Sequence, residues 1–291
     1  MRQDDAFAEL RPAMLALAYR ITGSRSDAED IVQDVYLRLR SASPKEAVRS
    51  LKAYLATITA RLSLNRLRDA KARRETYPGE WLPEPVPTEG DLSFTAADMS
   101  FALLVLLERL SPAERVVFVL RNAFELSFAE IADVVARDPA ACRKLFSRAR
   151  ERVLAERPRY TVDRERHRNM MQGFVEAVRA GDLGKLVSLL DEAAVLHGDG
   201  AGRPPANKKP VVGAEAVARF VIAVTRMLPS QVELDEVELN GAPAIFISAG
   251  GRPIVAILIE TDGERILSVF AVANPEKLSA IARSTAGSQA R

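Results

Sequence analysis

Several things are scarce in this sequence, and each scarcity excludes something. There is one cysteine, Cys142, so no disulfide can form within the chain, which fits a reducing compartment. The longest apolar runs, such as Phe101–Leu107 and Ile254–Ile259, are far too short to span a bilayer. The N-terminal stretch MRQDDAFAEL is acidic early and has no apolar core, so no signal peptide is expected. Together these features lead us to expect a cytoplasmic protein with no membrane association. Between residues 75 and 108 there is not one lysine or arginine.

The overall numbers are those of a soluble globular protein: 291 residues, 48% hydrophobic, 27% charged and a formal net charge of +2. That length favours two or three domains. The small net charge conceals an uneven distribution. Residues 1–74 hold fifteen Lys/Arg against nine Asp/Glu, and residues 75–108 hold seven acids alone. Residues 109–163 hold eleven basic against eight acidic residues, and residues 164–291 are balanced at fifteen each. Two basic blocks separated by an acidic spacer point to a polyanion-binding half and a neutral half.

The first block has helical periodicity. Phe7, Leu10, Met14, Leu17, Ala18 and Ile21 share one face, and Gly23 is placed to end that helix. Ser26 and Glu29 form a capping-box pattern for a second helix, with Ile31, Val32, Val35 and Leu39 inward. A third helix over Ser50–Arg74 is expected to bury Leu51, Leu55, Ile58, Leu62, Leu64 and Leu67. Its end carries Arg61, Arg66, Arg68, Lys71, Arg73 and Arg74 with Asn65, more cations than complementing a helix dipole requires, which favours phosphate contact. On the second helix Asp27, Glu29, Asp30, Gln33 and Asp34 make an acidic-polar face. That face is either merely solvated or a separate protein-docking surface.

Next comes ETYPGEWLPEPVPTEGDLSFTAAD, where Pro83, Pro85 and Pro87 favour an extended, stiff interdomain linker. Trp81 and Leu82 are odd in a solvated linker, because exposed apolar bulk usually has a docking site.

The second basic block opens with an apolar helix, Met99–Leu110. Three helix starts follow: Ser111-Pro112-Ala113-Glu114, Ser127 with Glu130, and Asp138-Pro139. On the helix that begins at Pro139, a rotation of about 100° per residue gathers Cys142, Leu145, Phe146, Ala149 and Val153 on one face. Ala140, Arg143, Lys144, Ser147, Arg148 and Glu151 gather on the other. The apolar face is expected to pack on Phe128, Ile131, Ala132 and Val135, which makes Cys142 a core residue rather than a redox or metal group. The bland alternative is an amphipathic helix pair with a solvated basic face. The caps and the short Val134–Arg137 connection favour a helix-turn-helix, its arginines reading base edges while Lys144 and Ser147 hold phosphates.

After Thr161 the pattern changes. Helices over Arg164–Ala180 and Leu183–Leu190, a strand at Ala194–Gly198, a loop at Asp199–Pro210 and a helix at Ala214–Leu228 precede four apolar runs. These runs are Gln231–Leu239, Ala242–Ser248, Pro253–Glu260 and Arg265–Ala273, joined by Asn240-Gly241, Gly250-Gly251 and Asp262-Gly263. Helices followed by an antiparallel meander indicate an α+β domain. His197 and Asp199 follow a strand, where loop polarity is the ordinary explanation and catalysis the sharper one. His167 is expected on a helix surface, and no dense inward-pointing set of acids or histidines appears. No catalytic residue, metal or cofactor is therefore expected.

Together, DAEDIVQDVYLRLR, LKAYLATITARLSLNRLRDAKARR and LSPAERVVFVLRNAFELSFAEIADVVARDPAACRKLFSRARERV resemble regions 2 and 4 of bacterial extracytoplasmic-function sigma factors over residues 5–155. YPGEWLPEP, HGDGAGR and NPEKL resemble the subgroup with a fused SnoaL-like domain of the NTF2-like cone fold. The resemblance implies a multidomain chain of two all-α domains, the second with a helix-turn-helix, followed by an α+β cone. The segments are residues 1–74, a linker at 75–98, 99–160, 164–282 and a flexible tail at 283–291.

The same resemblance implies core RNA polymerase as partner, through its β′ clamp and β flap, together with promoter DNA. Asp27, Asp30, Gln33, Asp34 and Arg38 are then polymerase-binding. Arg61, Asn65, Arg66, Arg68 and Lys71, with the loop 41–49, serve the −10 element, and Ala140, Arg143, Lys144, Ser147 and Arg148 read the −35 element. Trp81, Leu82, Pro83, His197, Asp199, Asn274 and Pro275 belong to a regulatory contact between the linker and the C-terminal domain, in which a small ligand is a candidate partner. The match departs at Ala136, where many relatives have glycine and a left-handed backbone would strain an alanine. Two other functions compete: a one-component DNA-binding regulator with a ligand-sensing C-terminal domain, and an enzyme tethered to DNA.

Overall fold

The structure, a computed structural model, describes residues 3–41, 50–88, 100–156 and 162–289. The chain divides into two compact units. One comprises Met1–Glu75, Glu89–Met99 and Leu103–Arg157; the other comprises Thr76–Thr88, Ser100–Ala102 and Pro158–Arg291. Apart from Ser100–Ala102, the described residues of both helical blocks thus lie in one unit, and linker residues Thr76–Thr88 belong to the other.

The first unit begins with α1 (Gln3–Thr22), α2 (Arg25–Ser41) and α3 (Leu51–Glu75). Gly23, at φ 70°, ends α1 by donating its N–H to the Tyr19 carbonyl at 2.7 Å. The cap of α2 is two residues earlier than the sequence suggests: the Ser24 hydroxyl, not that of Ser26, accepts the Asp27 N–H at 3.2 Å, and Glu29 pairs instead with Arg25 at 2.8 Å. The buried stripe of α3 is also rotated. Leu55, Ala56, Thr59, Ala60, Ser63, Leu64, Leu67 and Ala70 are buried, while Leu51, Ile58 and Leu62 are only half-buried. Small and hydroxyl residues can face the core there because each hydroxyl is satisfied. Ser63 donates to the Thr59 carbonyl at 2.8 Å, and Thr59 donates to the Met14 sulfur at 3.4 Å. A stripe of small residues lets helices approach closely.

The second block supplies α4 (Phe101–Glu108), α5 (Pro112–Ala123), α6 (Phe128–Val135) and α7 (Pro139–Glu156). The capping boxes at Ser111/Glu114 and Ser127/Glu130 are both formed, and Asp138 caps α7 by accepting the Ala141 N–H at 2.7 Å. The apolar faces of α6 and α7 meet as expected, with Ile131, Ala132, Val135, Cys142, Ala149 and Val153 buried. Within this unit α3 packs against α5 and α6, and α1 against α5. Arg115, buried on α5, donates to the Arg20 carbonyl at 3.0 Å and pairs with Glu108, which also pairs with Arg74. Arg74 in turn donates to the Thr22 carbonyl at 2.9 Å. One acid on α4 therefore joins the C-terminal carbonyls of α1 to α3 and α5.

The second unit contains α8 (Arg164–Ala180), α9 (Leu183–Leu189), β1 (Leu190–Asp199), β2 (Val211–Val212), α10 (Ala214–Thr225), β3 (Glu233–Leu239), β4 (Ala242–Ala249), β5 (Arg252–Thr261), β6 (Ile266–Val272) and α11 (Pro275–Gln289). The sheet order is β2-β1-β6-β5-β4-β3, antiparallel throughout except for the parallel β1–β6 pair. The Asn240-Gly241 and Gly250-Gly251 turns have positive φ at both residues, as tight hairpins demand. Met171, Phe174 and Ala177 of α8, Leu186 of α9 and Val217, Ala218 and Ile222 of α10 form one core with Ile245, Ile247, Ile259, Ile266 and Val269 of the sheet.

Two expectations change here. The first strand starts at Leu190, so Asp191 and Glu192 lie within it. Helix α11 carries the backbone through Gln289, where a flexible tail from residue 283 was expected. His167 is half-buried on α8, and burial lowers the pKa of its ring.

Ala136 occupies the left-handed region at φ 54°, ψ 54° between α6 and α7. Glycine tolerates that geometry, whereas Cβ makes it cost about 1–2 kcal/mol. Ala136→Gly is therefore expected to stabilise the helical unit by about 1 kcal/mol, seen as a higher denaturant midpoint followed by circular dichroism.

Candidate functional site

The most heavily constructed site lies in the second unit, where the linker segment Thr76–Thr88 lies along the α+β domain. Its anchor is Asp199 at the end of β1, fully buried. One carboxylate oxygen accepts the Tyr77 hydroxyl at 2.5 Å and the Ala201 N–H at 3.3 Å. The other accepts the Leu82 N–H at 3.0 Å and the Lys277 ammonium at 2.6 Å. Lys277, itself buried on α11, also donates to the Leu82 carbonyl and sits 3.8 Å from the centroid of the Trp81 ring. Asn274 donates to the Tyr77 oxygen at 2.9 Å. Burial, and then the hydrogen bond to Asp199, push the Tyr77 hydroxyl above its ordinary range.

The rest of the segment is held just as directly. Leu82, Pro83, Glu84, Pro85 and Val86 are all buried. Val86 exchanges two hydrogen bonds with Asn240, through the Asn240 side chain at 3.1 Å and its N–H at 2.9 Å. The Thr88 N–H donates to the Glu238 carbonyl at 2.9 Å, and Pro87 bridges Leu239, so the linker covers the end of the edge strand β3. Beside Asp199 on β1, His197 is buried, stacks on Phe270 at 5.4 Å and meets Glu80 at 2.7 Å through Nδ1.

His197 and Asp199 are thus not loop polarity. Strand β1 runs one residue further than expected, to Asp199, and delivers both side chains to the linker. The expected regulatory residues Trp81, Leu82, Pro83, His197, Asp199 and Asn274 are gathered at this one place, while Pro275 is exposed at the start of α11. Lys277, Tyr77, Glu80 and Asn240 went unnoticed. NPEKL already contained Lys277, but a lysine ordinarily signals a solvated surface.

Glu260 on β5 pairs across the sheet with Ser268. Burial pushes its carboxyl up to about 7, opposed by the smaller effects of His197 and of the Ser268 hydroxyl. At the β2 edge an open cleft of about 650 Å³ is lined by Val187, Glu192, Val212 and the start of α10.

On the helical unit, Ala140, Arg143, Lys144, Ser147 and Arg148 all stand exposed along α7, with the Arg143 guanidinium 5.9 Å from the Phe128 ring centroid. On α2, Asp27, Asp30, Gln33, Asp34 and Arg38 form one face, but Asp27 and Asp30 pair with Arg66 of α3 at 3.2 and 3.1 Å. The acidic face and the basic helix end, read as separate surfaces, touch there. The pairs are solvent-accessible and cost little to open. Arg61 donates to the Asp133 carbonyl of α6 at 2.8 Å. Asn65 and Arg68 are exposed; the Lys71 side chain and most of the 41–49 loop lie outside the described residues. Among the described residues, no helix is long and apolar enough to cross a membrane.

Comparison with known proteins matches Sigma-70 region 2 at residues 6–73 and Sigma-70, region 4 at residues 100–153. The chain is 38% identical over 290 residues to "ECF RNA polymerase sigma factor SigJ" of Mycobacterium tuberculosis, covering 94% of this chain and 92% of that protein. It is 31% identical over 283 residues to "Probable ECF RNA polymerase sigma factor SigI" of the same species, covering 92% of each. Its fold is similar to the crystal structure of the Mycobacterium tuberculosis extracytoplasmic function sigma factor SigJ. The TM-score is 0.75 at 32% identity, covering 96% of this chain and 99% of that one.

Two outcomes follow from the buried knot and its neighbour. Asp199→Asn leaves Lys277 buried without its counter-charge and is expected to cost about 3–5 kcal/mol. Its readout is a destabilised second unit and a red-shifted emission of Trp81, the single tryptophan. The double variant Asp199→Asn/Lys277→Met should recover part of that loss. For Glu260, folding raises the carboxyl from its ordinary 4.5 to about 7. Below about 4.5 folded and unfolded chains both hold the proton and the full contribution is present; it declines as pH rises through about 7. Denaturant midpoints measured from about pH 5 to about pH 8 should therefore fall more in the native chain than in Glu260→Gln.

Proposed function

The chain belongs to the ECF RNA polymerase sigma factors, and from that premise we propose that its α+β unit is a built-in regulator acting through the linker it holds. As a sigma factor the protein binds core RNA polymerase and promoter DNA and directs promoter-specific initiation. The buried Asp199–Lys277 pair closed around Leu82, with Tyr77 and Trp81 against it, carries the regulatory reading. The linker connects region 2 to region 4 along the chain. With Thr76–Thr88 docked, the tether free to vary between the two is shorter than the sequence between them. Any state that needs a longer tether must first separate this desolvated charge pair from the backbone it grips.

Site by site, the proposal assigns Asp27, Asp30, Gln33, Asp34 and Arg38 to the β′ clamp and region 4 to the β flap. Arg61, Asn65, Arg66, Arg68 and Lys71 go to the −10 element, and Ala140, Arg143, Lys144, Ser147 and Arg148 to the −35 element. The exposure of the whole −35 set on one face of α7 supports the last assignment. Arg66 links two of the other sets, because polymerase binding at Asp27 and Asp30 would free its guanidinium for phosphate. Family membership displaces the one-component regulator. His197 and Asp199, the two side chains weighed for catalysis, are occupied by Glu80, Tyr77, Leu82 and Lys277, which supports a non-catalytic domain. A sigma factor works where the polymerase is, which supports a cytoplasmic location.

The decisive experiment is in vitro transcription with core polymerase. Asp199→Asn is expected to change promoter output several-fold, in the same direction as removing residues 164–291. Output and polymerase affinity unchanged in both cases would sink the regulator. In the same assay Arg143→Ala should cost about 1–3 kcal/mol of −35 discrimination, whereas Lys144→Ala should weaken all promoters alike and reduce the salt slope by about 1.

A further inference from the structure

One strongly charged surface lies outside these roles. Between β1 and β2, residues 200–210 carry Arg203, Lys208 and Lys209 and no acidic residue. All three are exposed, and among the described residues none forms an ion pair. The acids that the linker brings nearby do not neutralise them, since Glu80 is taken by His197 and Glu84 is buried.

The loop is built rather than loose. A Cβ on Gly198 would stand 1.9 Å from the Asn207 side-chain oxygen, and one on Gly200 would stand 2.3 Å from the Ala206 Cβ. Arg203 donates its N–H to the Gly200 carbonyl at 3.0 Å, and the Asn207 amide donates to the Lys209 carbonyl at 2.7 Å. Gly202, at φ +75°, allows Pro78 of the linker to approach: a Cβ there would meet the Pro78 Cβ at 2.7 Å. The Lys208 backbone likewise lies 3.7 Å from the Cβ position of Gly79. The loop backbone is therefore held in place and fastened to the linker, and from it project three cations that form no ion pair among the described residues.

We propose that this loop is a phosphate-binding site for the duplex between the −10 and −35 elements, an inference that rests on the sigma-factor reading. Pro78, against which the loop packs, follows Arg68 of the basic α3 end by ten residues in the chain. The linker that carries it joins the two promoter-reading regions. Two lysines and one exposed arginine, with no amide or carboxylate partner set to read a base edge, suit phosphates rather than sequence. The contact adds affinity and salt dependence without adding promoter preference.

The test uses the full chain in complex with core polymerase on a linear promoter duplex. The variant Arg203→Gln/Lys208→Gln/Lys209→Gln is compared with the native chain, and Trp81 emission reports an intact linker dock. The plot of log K against log salt should become shallower by about 2–3, with promoter ranking unchanged. Replacing the spacer phosphates by neutral methylphosphonates should produce the same change in the native chain and add nothing in the variant; this arm needs no substitution. An unchanged slope in both arms overturns the proposal. So does an equal loss of affinity for core polymerase without DNA, which would identify an acidic protein surface as the partner. If the native complex selects no promoter at all, the sigma-factor reading itself falls, and the loop proposal with it.

Discussion

The α+β unit and the linker depend on one buried ion pair, Asp199 with Lys277. Two charges removed from water cost more than their mutual attraction returns unless every remaining lone pair and proton finds a partner. Here they do: the carboxylate takes Tyr77, Leu82 and Ala201, and the ammonium takes the Leu82 carbonyl and the face of Trp81. Three of those partners come from the linker. The pair is therefore satisfied only when the linker is in place, which makes docking cooperative rather than a sum of apolar contacts. Such an arrangement suits regulation, because partial release exposes a charge to a dry environment and is penalised.

The helical unit uses the same physics at Glu108, Arg74 and Arg115. Arg115 is nearly inaccessible, and its guanidinium reaches the Arg20 carbonyl as well as Glu108. These contacts tie the end of α1 to α3, α4 and α5. The more exposed pairs, Arg66 with Asp27 and Asp30, lie in water and hold little. The unit thus combines a firm charged centre with loosely occupied surfaces at the residues proposed for polymerase and DNA. Arg66, shared between two of those surfaces, lets occupancy of one alter the other.

Much of the architecture was legible because local signals are strong. The capping boxes at Ser111/Glu114 and Ser127/Glu130, the proline at the start of α7 and the Asn240-Gly241 and Gly250-Gly251 turns each specify backbone through bonds within four residues. The two faces of α7 followed from rotation alone. Periodicity failed on α3, where Thr59 and Ser63 are buried and Ile58 is only half-buried, because hydroxyls with a bonding partner, the Met14 sulfur for Thr59 and the Thr59 carbonyl for Ser63, behave as small core residues. Helix α11 escaped notice because its N-terminus lies in a motif read for function and its later residues look like a polar tail.

What the sequence determined by itself is what is encoded within a few residues: the order of the elements apart from β2 and α11, the capped helix starts of the second basic block, tight turns, the uneven charge distribution, and the oddity of Trp81-Leu82 in a proline-rich spacer. What only the tertiary structure decided is which polar groups are buried together. Asp199, His197 and Lys277 are ordinary surface types in isolation. They became the linker's anchor because the parallel β1–β6 pairing and α11 bring residues more than seventy positions apart to one spot. Burial energies depend on the whole surroundings of a charge, and no short stretch of sequence contains them.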